Sequence, residues 1–212
     1  MRLEAITWER LTDAVADEVL RTPVAGGGPW PRVGLDGPPA ARCGEFAERL
    51  GEALRLRGRD SLAIGTDGFL RPASLRYEYG RDDPDAYYSD WFDTGTLRRE
   101  VFGPLEPGGS GLVLPDLRDP LTDRATRSAR VALPAGGVLL LYGPFLLGQW
   151  FPFDLTVRIR LSEGALRRRT AAEEQWTLPA FRRYEEEVPP EGAVDALVRA
   201  DDPRHPAWSG FH

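Results

Sequence analysis

A short turn between a predicted strand and a predicted helix carries the residues that come closest to a phosphate-binding site. The strand covers Arg32 to Leu35, the turn runs from Asp36 to Gly44, and an amphipathic helix follows, with Gly58 as its expected end. In this architecture free backbone N–H groups and the helix dipole converge on an anion. A nucleotide-binding loop of this kind reads G-x-x-x-x-G-K-[ST], with Lys on the phosphates and a hydroxyl on Mg²⁺.

Counted from Gly37, that pattern fails at three positions together. Arg42 stands in place of the second Gly, Cys43 in place of Lys, and Gly44 in place of the hydroxyl residue. Glu45 follows directly and adds a carboxylate where a phosphate needs donors. The residues alone therefore favour a structural turn that binds no nucleotide. Arg42 leaves a second interpretation open, because a guanidinium is a strong phosphate donor.

Cys43 is the single cysteine in the chain and could carry chemistry of its own. A thiol near the N-terminus of a helix can have a lowered pKa and act as a nucleophile or a redox sensor. No histidine lies near it in the sequence to activate it, which favours a small, half-buried residue that fills space. One cysteine excludes an internal disulfide, and the only histidines, His205 and His212, lie in the C-terminal tail, so no metal site is predicted.

The composition removes whole classes of mechanism. All 27 basic residues are Arg and the chain contains no Lys, which excludes Schiff-base chemistry, a Lys general base and the phosphate-binding Lys. The net charge of −6 predicts attraction neither to nucleic acid nor to an anionic membrane. No signal sequence or membrane-spanning stretch is present, so we expect a soluble, cytoplasmic protein.

The elements that must position these residues alternate along the chain. Buried strands are predicted at 32–35, 61–66, 138–142, 155–161 and 194–198, with helical segments between or after them. Strands that are apolar on both faces and alternate with helices indicate a three-layer α/β fold with a parallel five-stranded sheet. Ligands bind beyond the carboxyl ends of such strands, so the loops after Leu35, Thr66 and Tyr142 are expected to converge on one crevice.

Four regions are predicted along the chain. Residues 1–23 form an amphipathic helix, with Thr7 as its N-cap and Leu11, Val15 and Val19 on its apolar side. Residues 24–31 are a Gly-rich linker, 32–203 are the main domain, and 204–212 are a tail. Within the main domain, region 71–130 is a long insert after the second strand, which is typical of a functional or a disordered segment.

The second strand and the insert carry a series of motifs in a fixed order. These are Thr66-Asp67-Gly68-Phe69-Leu70-Arg71-Pro72, Arg76-Tyr77, the stretch from Gly80 to Asp93, Leu97-Arg98-Arg99-Glu100 and Gly103-Pro104-Leu105. Together they resemble the uridine kinase family of P-loop nucleoside kinases, closely over residues 60–106 and more loosely over 32–200. The resemblance implies a P-loop NTPase-like fold with a degenerate Walker A loop at 36–44. The segment between Pro189 and Gly192 is shorter than in the family.

The resemblance also implies roles for individual residues. Asp67 matches the carboxylate that accepts the proton of the attacking 5′-hydroxyl, and Asp85 matches the one that binds the ribose diol. Arg167, Arg168 and Arg169 resemble lid arginines that stabilise phosphate charge. The other implied substrate-binding residues are Phe69, Arg71, Tyr77 and Tyr87, and the anion loop comprises Gly37, Arg42, Cys43 and Gly44.

The same residues also have purely structural interpretations. Asp67 could cap a turn, and Asp85 could be a solvated loop residue. The three lid arginines could pair with Glu173 and Glu174 on a helix surface. The aromatic residues around Tyr87 could form a small core under the long insert or a wall on which a base stacks.

Three functions follow from this pattern of retained and missing residues. The residues implied to bind the hydroxyl substrate, which accepts the phosphoryl group, remain, while those that would bind ATP, the phosphoryl donor, are missing. This favours a protein that binds a nucleoside or similar hydroxyl-bearing molecule, with ATP-dependent transfer weakened or absent. An active uridine-type kinase would need ATP and Mg²⁺ and could use Arg42 or the 167–169 cluster in place of Lys. A non-catalytic structural or regulatory protein, bound to a protein partner or to a second copy, is the third.

Overall fold

A mainly parallel sheet forms the centre of the computed structural model, which describes residues 2–188 and 194–211. In chain order the strands are β1 (Glu4–Ala5), β2 (Arg32–Asp36), β3 (Ser61–Gly65), β4 (Leu112–Val113), β5 (Arg118–Asp119), β6 (Arg124–Ala125), β7 (Val131–Ala132), β8 (Val138–Gly143), β9 (Leu155–Arg160), β10 (Ala196–Arg199) and β11 (Ala207–Trp208). Over the described residues the central sheet has seven strands in the order β1-β11-β10-β9-β2-β8-β3. The neighbours from β10 to β3 are parallel, whereas β11 and β1 pair in the antiparallel direction.

Helices flank this sheet. They are α1 (Trp8–Arg21), α2 (Cys43–Leu56), α3 (Ala73–Arg76), α4 (Pro84–Ser89), α5 (Thr94–Leu97), α6 (Glu163–Arg169) and α7 (Leu178–Glu187). The predicted cap of the first helix is present, since the Thr7 hydroxyl oxygen accepts a hydrogen bond from the Arg10 N–H. Among the described residues, none of the helices has the length and apolar character that crossing a bilayer requires.

Alternate residues of β8 face two separate cores. Val138 and Leu140 belong to the core that includes α1 and α2, whereas Leu139 and Leu141 belong to the core formed with the insert. Successive side chains of a strand point to opposite faces, so a strand that is apolar throughout needs cover on both sides. The prediction of a parallel sheet flanked by helices is confirmed.

The insert at 71–130 covers the second face of the sheet. It contains α3, α4, α5, a π-helical turn at Arg98–Phe102 and the antiparallel pair of β5 with β6, while its strand β4 pairs with β7, directly after the insert. Leu97, Val101, Phe102 and Leu105 are buried against the sheet. The insert is therefore a packed layer of the fold, which excludes the disordered alternative for the apolar residues that it buries.

The two outer strands at one sheet edge are absent from the predicted elements. β1 pairs with β11, and β11 pairs with β10, so residues at both ends of the chain join the sheet. Two-residue strands are too short to produce a periodic pattern in the sequence. The shortened stretch between Pro189 and Gly192 lies outside the described residues.

Candidate functional site

Four parallel strands end at one edge of the sheet and bring their following loops together. β2 ends at Asp36, β3 at Gly65, β8 at Gly143 and β9 at Arg160. The strand register pairs Asp36 with Gly143 on one side and with Arg158 on the other. The turn after β2, the 3₁₀ turn after β3 and the loop after β8 therefore converge at this edge.

The turn at 37–42 has few backbone N–H groups to offer to an anion. Pro38 and Pro39 have no N–H. Ala41 and Arg42 donate theirs to the carbonyl oxygens of Pro38 and Pro39, at 2.8 and 3.0 Å, and Gly37 donates to the last residue of β8 at 3.1 Å. Five of the six positions thus lack an N–H or already use it within the protein.

The Cys43 side chain fills the interior of this turn. A Cβ built on Gly37 would lie 2.8 Å from Cys43 Sγ and 2.7 Å from the Ile159 carbonyl oxygen, so the sulfur packs directly on the glycine. Burial raises the pKa of the Cys43 thiol, and the negative charge of Asp36 raises that pKa further. A reactive thiol is partly exposed and has a lowered pKa, whereas the Cys43 sulfur is buried and packed, which favours the space-filling interpretation.

The Tyr142 ring covers the next position of the loop. A Cβ on Gly44 would lie 3.1 Å from Tyr142 Cε2, and one on Gly65 would lie 2.9 Å from Tyr142 Cζ. Burial raises the pKa of the Tyr142 hydroxyl, and the negative charges of Asp67 and Glu48 raise it further. The ring therefore occupies the space beside Gly44, where a nucleotide-binding loop carries its Mg²⁺-binding hydroxyl.

These contacts decide whether ATP with its Mg²⁺ fits the turn. A triphosphate needs a cradle of N–H donors, a Lys on its phosphates and a hydroxyl on its metal ion. Here a sulfur atom fills the cradle and an aromatic ring covers the hydroxyl position. The guanidinium of Arg42 is exposed and pairs with Glu45 at 3.2 Å. The residues of this turn therefore do not fit ATP with its Mg²⁺.

A cavity of about 710 Å³ opens beside the turn, between α4, α6 and the 3₁₀ segment Ala172–Thr177. We call it the aromatic cavity, because four rings line it, together with Arg42, Arg169 and Glu174; the rings are Tyr87, Trp91, Trp176 and Phe181. The Tyr87 ring centroid lies 5.0 Å from that of Trp91 and 5.5 Å from that of Trp176, in edge-on contacts. Its volume is within the range of small-molecule sites.

The predicted lid arginines have different surroundings. Arg169 lines the aromatic cavity and also donates to the backbone carbonyl oxygens of Ala200, at 2.9 Å, and of Asp201. Arg167 and Arg168 are exposed on α6. The three residues therefore do not act as one cluster toward the cavity.

Both predicted carboxylates lie outside the aromatic cavity. Asp67 is exposed in the turn after β3, where its Oδ1 accepts a hydrogen bond from the Gly68 N–H at 3.0 Å. Asp85 is exposed on α4 and pairs with Arg183 at 3.0 Å. Both contacts are of a structural kind, and neither carboxylate lines the aromatic cavity.

The other predicted acceptor residues are engaged in packing or ion pairs. Phe69 is fully buried in the core beneath the insert. Arg71 pairs with Asp90 at 2.7 Å. Tyr77 lies under the guanidinium of Arg76, with 5.0 Å between that group and the ring centroid. Of the predicted acceptor residues, Tyr87 alone lines the aromatic cavity within the described chain.

A buried polar network at the end of β2 is absent from the sequence prediction. Asp36 Oδ1 accepts hydrogen bonds from the Leu146 N–H at 2.9 Å and the Tyr184 hydroxyl at 3.0 Å, and Oδ2 lies 3.3 Å from Arg158 Nε. Burial raises the pKa of Asp36 to about 6, although the Arg158 charge and both hydrogen bonds lower it. The sequence feature that points to this network is a charged residue in an otherwise apolar strand, Asp36 in β2 and Arg158 in β9.

Comparison with known proteins adds information on the fold. No family model and no curated protein match the sequence. Solved structures do match: a Bacillus stearothermophilus protein described as a possible uridine kinase has a TM-score of 0.70 at 21% identity, covering 88% of this chain and 96% of that one. This chain has a P-loop kinase-like fold.

Two further matches widen the range of named substrates. A Silicibacter sp. TM1040 protein assigned as a fructose transport system kinase has a TM-score of 0.59 at 20% identity, covering 89% of this chain and 87% of that one. D-glycerate 3-kinase from Cryptococcus neoformans var. grubii has a TM-score of 0.54 at 15% identity, with 85% and 80% covered. At these identities the P-loop kinase-like fold is shared, whereas the ligand differs among the neighbours.

Proposed function

We propose that this protein binds a small hydroxyl-bearing molecule with a planar ring, of the nucleoside type, in the aromatic cavity and transfers no phosphoryl group from Mg-ATP. The observation that carries the proposal is the filled donor turn beside an open, aromatic-lined cavity. Phosphoryl transfer depends on positioned charges around the phosphates, so their loss removes catalysis without removing the fold.

The lining of the aromatic cavity supports a ring as the bound group. Trp91 and Trp176 are half-buried and present apolar ring surface, with their centroids 5.4 Å apart. Stacking on such side chains accepts any planar base or ring. Arg42 and Glu174 line the same cavity and can donate to and accept from ligand hydroxyl groups.

The names of the neighbours support a small polyol or hydroxy acid as the alternative ligand class. Their names are possible uridine kinase, fructose transport system kinase and D-glycerate 3-kinase; uridine, fructose and D-glycerate share free hydroxyl groups, and uridine alone of the three has a ring base. The aromatic wall favours uridine or a related nucleoside over the other two, because neither fructose nor glycerate has an aromatic π-face to stack.

Isothermal titration of the full chain with uridine, cytidine, fructose, D-glycerate and Mg-ATP tests this proposal. We expect heat of binding with a nucleoside, none with Mg-ATP, and no phosphorylated product in a mixture of both. Turnover of Mg-ATP with any acceptor of this panel contradicts the loss of transfer.

Two variants locate the binding site. Trp176→Ala is expected to weaken nucleoside binding about tenfold, because stacking on one aromatic side chain contributes on the order of 1–3 kcal/mol. Trp150→Ala removes an exposed tryptophan outside the cavity and should leave binding unchanged. Asp67→Asn should also leave nucleoside binding unchanged. Loss of nucleoside binding in this variant would show that the ligand binds at the turn after β3 instead.

A further inference from the structure

One side chain in the wall of the aromatic cavity is buried and yet carries a polar group. Tyr87 is 6% exposed and lines this cavity from α4. Its ring is surrounded by other aromatic rings at centroid distances of 5.0 to 6.1 Å, those of Trp91, Phe92, Phe145, Trp176 and Phe181. This packing holds the Tyr87 ring in one position, so the place of its hydroxyl is fixed as well.

The Tyr87 hydroxyl has no hydrogen-bond partner in the part of the chain that the structure describes. The hydroxyl groups of Tyr88 and Tyr184, in contrast, each donate to a carboxylate. The described side-chain atoms that are completely buried without a partner belong to other residues, so the Tyr87 oxygen is not sealed inside the protein. It therefore belongs to the small exposed part of this side chain, and the space beside that part is the aromatic cavity.

The helix that carries Tyr87 is itself fixed to its neighbour. Asp85 pairs with Arg183 at 3.0 Å, and the Tyr88 hydroxyl donates to Glu187 at 2.9 Å, so two contacts join α4 to α7. A binding group is effective when the residues around it hold it in place before the ligand arrives. The Tyr87 hydroxyl meets this condition, because both its ring and its helix are held.

This hydroxyl is a hydrogen-bond donor at neutral pH. Burial raises the pKa of Tyr87, and the negative charge of Glu174, which lines the same cavity, raises that pKa further. The phenol consequently keeps its proton and offers one O–H group. Trp91 and Trp176 contact the Tyr87 ring, so a flat ring that stacks on them brings its edge toward this donor.

A ligand that fills the aromatic cavity separates the Tyr87 hydroxyl from water. A donor that becomes buried without an acceptor costs free energy, whereas an acceptor on the ligand restores the hydrogen bond. For this reason a site with a positioned hydrogen-bonding group rejects an analogue that lacks the matching atom. A carbonyl oxygen on the edge of a ring is such an acceptor and adds no charge.

We propose that Tyr87 determines the specificity of the aromatic cavity, because its hydroxyl donates a hydrogen bond to a carbonyl oxygen on the ring of the bound nucleoside. The ligand class is then nucleosides whose base carries an oxo group, as uracil does. This inference rests on the proposed function, since it concerns the same cavity. Glu174 and Arg42 remain available to the sugar hydroxyl groups.

Two ligands and one variant test the hydrogen bond. Uridine has ring carbonyl oxygens, and the C-riboside of benzene has the same sugar on a six-membered aromatic ring without them. Tyr87→Phe removes the hydroxyl and keeps the ring. In titrations of the full chain we expect this variant to weaken uridine binding about fivefold, as for one neutral hydrogen bond, and to leave binding of the benzene riboside unchanged. An equal change for both ligands overturns the proposal.

The neighbouring Tyr88→Phe variant is the matched control. It removes a hydroxyl that is bonded to Glu187 and that does not line the aromatic cavity, so the preference for uridine over the benzene riboside should stay the same. Urea denaturation adds a readout without ligand. Tyr87→Phe should leave the free energy of unfolding unchanged, because the hydroxyl has no partner among the described residues. A clear decrease would show that the hydroxyl serves the fold and would overturn the proposal.

Failure of this inference and failure of the proposed function give different results. Uridine binding that Tyr87→Phe does not weaken overturns the role of Tyr87 and leaves nucleoside binding in place. Absence of binding of both ligands to the natural protein overturns both proposals. Trp176→Ala should weaken uridine and the benzene riboside alike, because it removes stacking, which the two rings share.

Discussion

Three residue types in and around the turn after β2 leave little room or hydrogen-bonding capacity for a triphosphate. Pro38 and Pro39 remove N–H groups, the Cys43 sulfur fills the interior, and the Tyr142 ring covers Gly44. Each change acts on a different part of the triphosphate and metal site, so reverting one of them would leave the others in place. Arg42, which the sequence offers as a replacement for the missing Lys, is exposed and paired with Glu45.

The buried thiol gives a prediction at this scale. Burial and the nearby Asp36 carboxylate raise the pKa of Cys43, so its thiolate is scarce in the folded protein at neutral pH. We expect an aromatic disulfide reagent to modify the native protein many times more slowly than the denatured protein. Because Cys43 is the single cysteine, a peptide spanning residues 40–46 is the control for intrinsic reactivity. Equal rates for the native protein and the peptide would contradict the packing of the sulfur against Gly37.

At the scale of elements, one carboxylate fixes the start of β2. Asp154 accepts hydrogen bonds from the backbone N–H groups of Ala25 and Arg32, at 2.7 and 2.8 Å, and pairs with the Arg32 guanidinium at 2.9 Å. The Arg32 side chain is 5% exposed and that of Asp154 is 1% exposed. The pair therefore joins the Gly-rich segment, β2 and the chain before β9, and sets where the strand leading to the turn begins.

We expect Asp154→Ala to lower the free energy of unfolding by about 3–5 kcal/mol. The substitution leaves the buried Arg32 charge and two backbone N–H groups without their acceptor. Urea denaturation measures the change. Glu163→Ala is a matched control, because it breaks the Glu163–Arg182 pair, which is mostly exposed and contributes at most about 1 kcal/mol. Similar losses in the two variants would show that Asp154 does not anchor β2.

At the scale of the whole molecule, the Asp36 network joins four parts of the fold. It connects the end of β2 to the loop after β8 through Leu146, to β9 through Arg158, and to α7 through Tyr184. Arg158 also lies over the Tyr184 ring, 4.4 Å from its centroid. The network therefore links the turn after β2 to α7, whose Phe181 lines the aromatic cavity.

The Asp36 carboxyl makes the stability of the whole protein depend on pH. Its pKa in the folded state is raised from 3.8 to about 6, chiefly by burial, so the folded state holds this proton more tightly than the unfolded state. Its contribution to stability is complete below about pH 4 and is lost as the pH rises to about 6, by up to about 1.4 kcal/mol per pH unit.

Asp36→Asn removes this titration and is the reference for measuring it. We expect the free energy of unfolding of the natural protein, relative to the variant, to decrease between pH 4 and pH 6 and to level off above that range. Urea denaturation across the range gives the difference, in which other carboxyl groups cancel. A difference that rises with pH would mean that the Arg158 charge outweighs burial at Asp36.

The parallel sheet could be predicted from the sequence, because it depends on local pattern. Apolar runs alternating with helices indicate the sheet, and the absence of Lys is visible from the composition. The outer strands β1 and β11 could not be predicted, because two residues have no periodicity. That neither Asp67 nor Asp85 lines the aromatic cavity also lies beyond the sequence, because it depends on how the turn after β3 and the insert pack in three dimensions.

The sequence by itself determined that no lysine can hold a phosphate and that the chain forms alternating strands and helices. Only the tertiary structure decided that the Cys43 sulfur and the Tyr142 ring pack against the glycines of the turn after β2, that four rings from separate elements meet around a cavity, and that Asp36 is buried opposite Arg158. These are contacts between residues distant in the chain, and packing in three dimensions, not the order of residue types, brings them together.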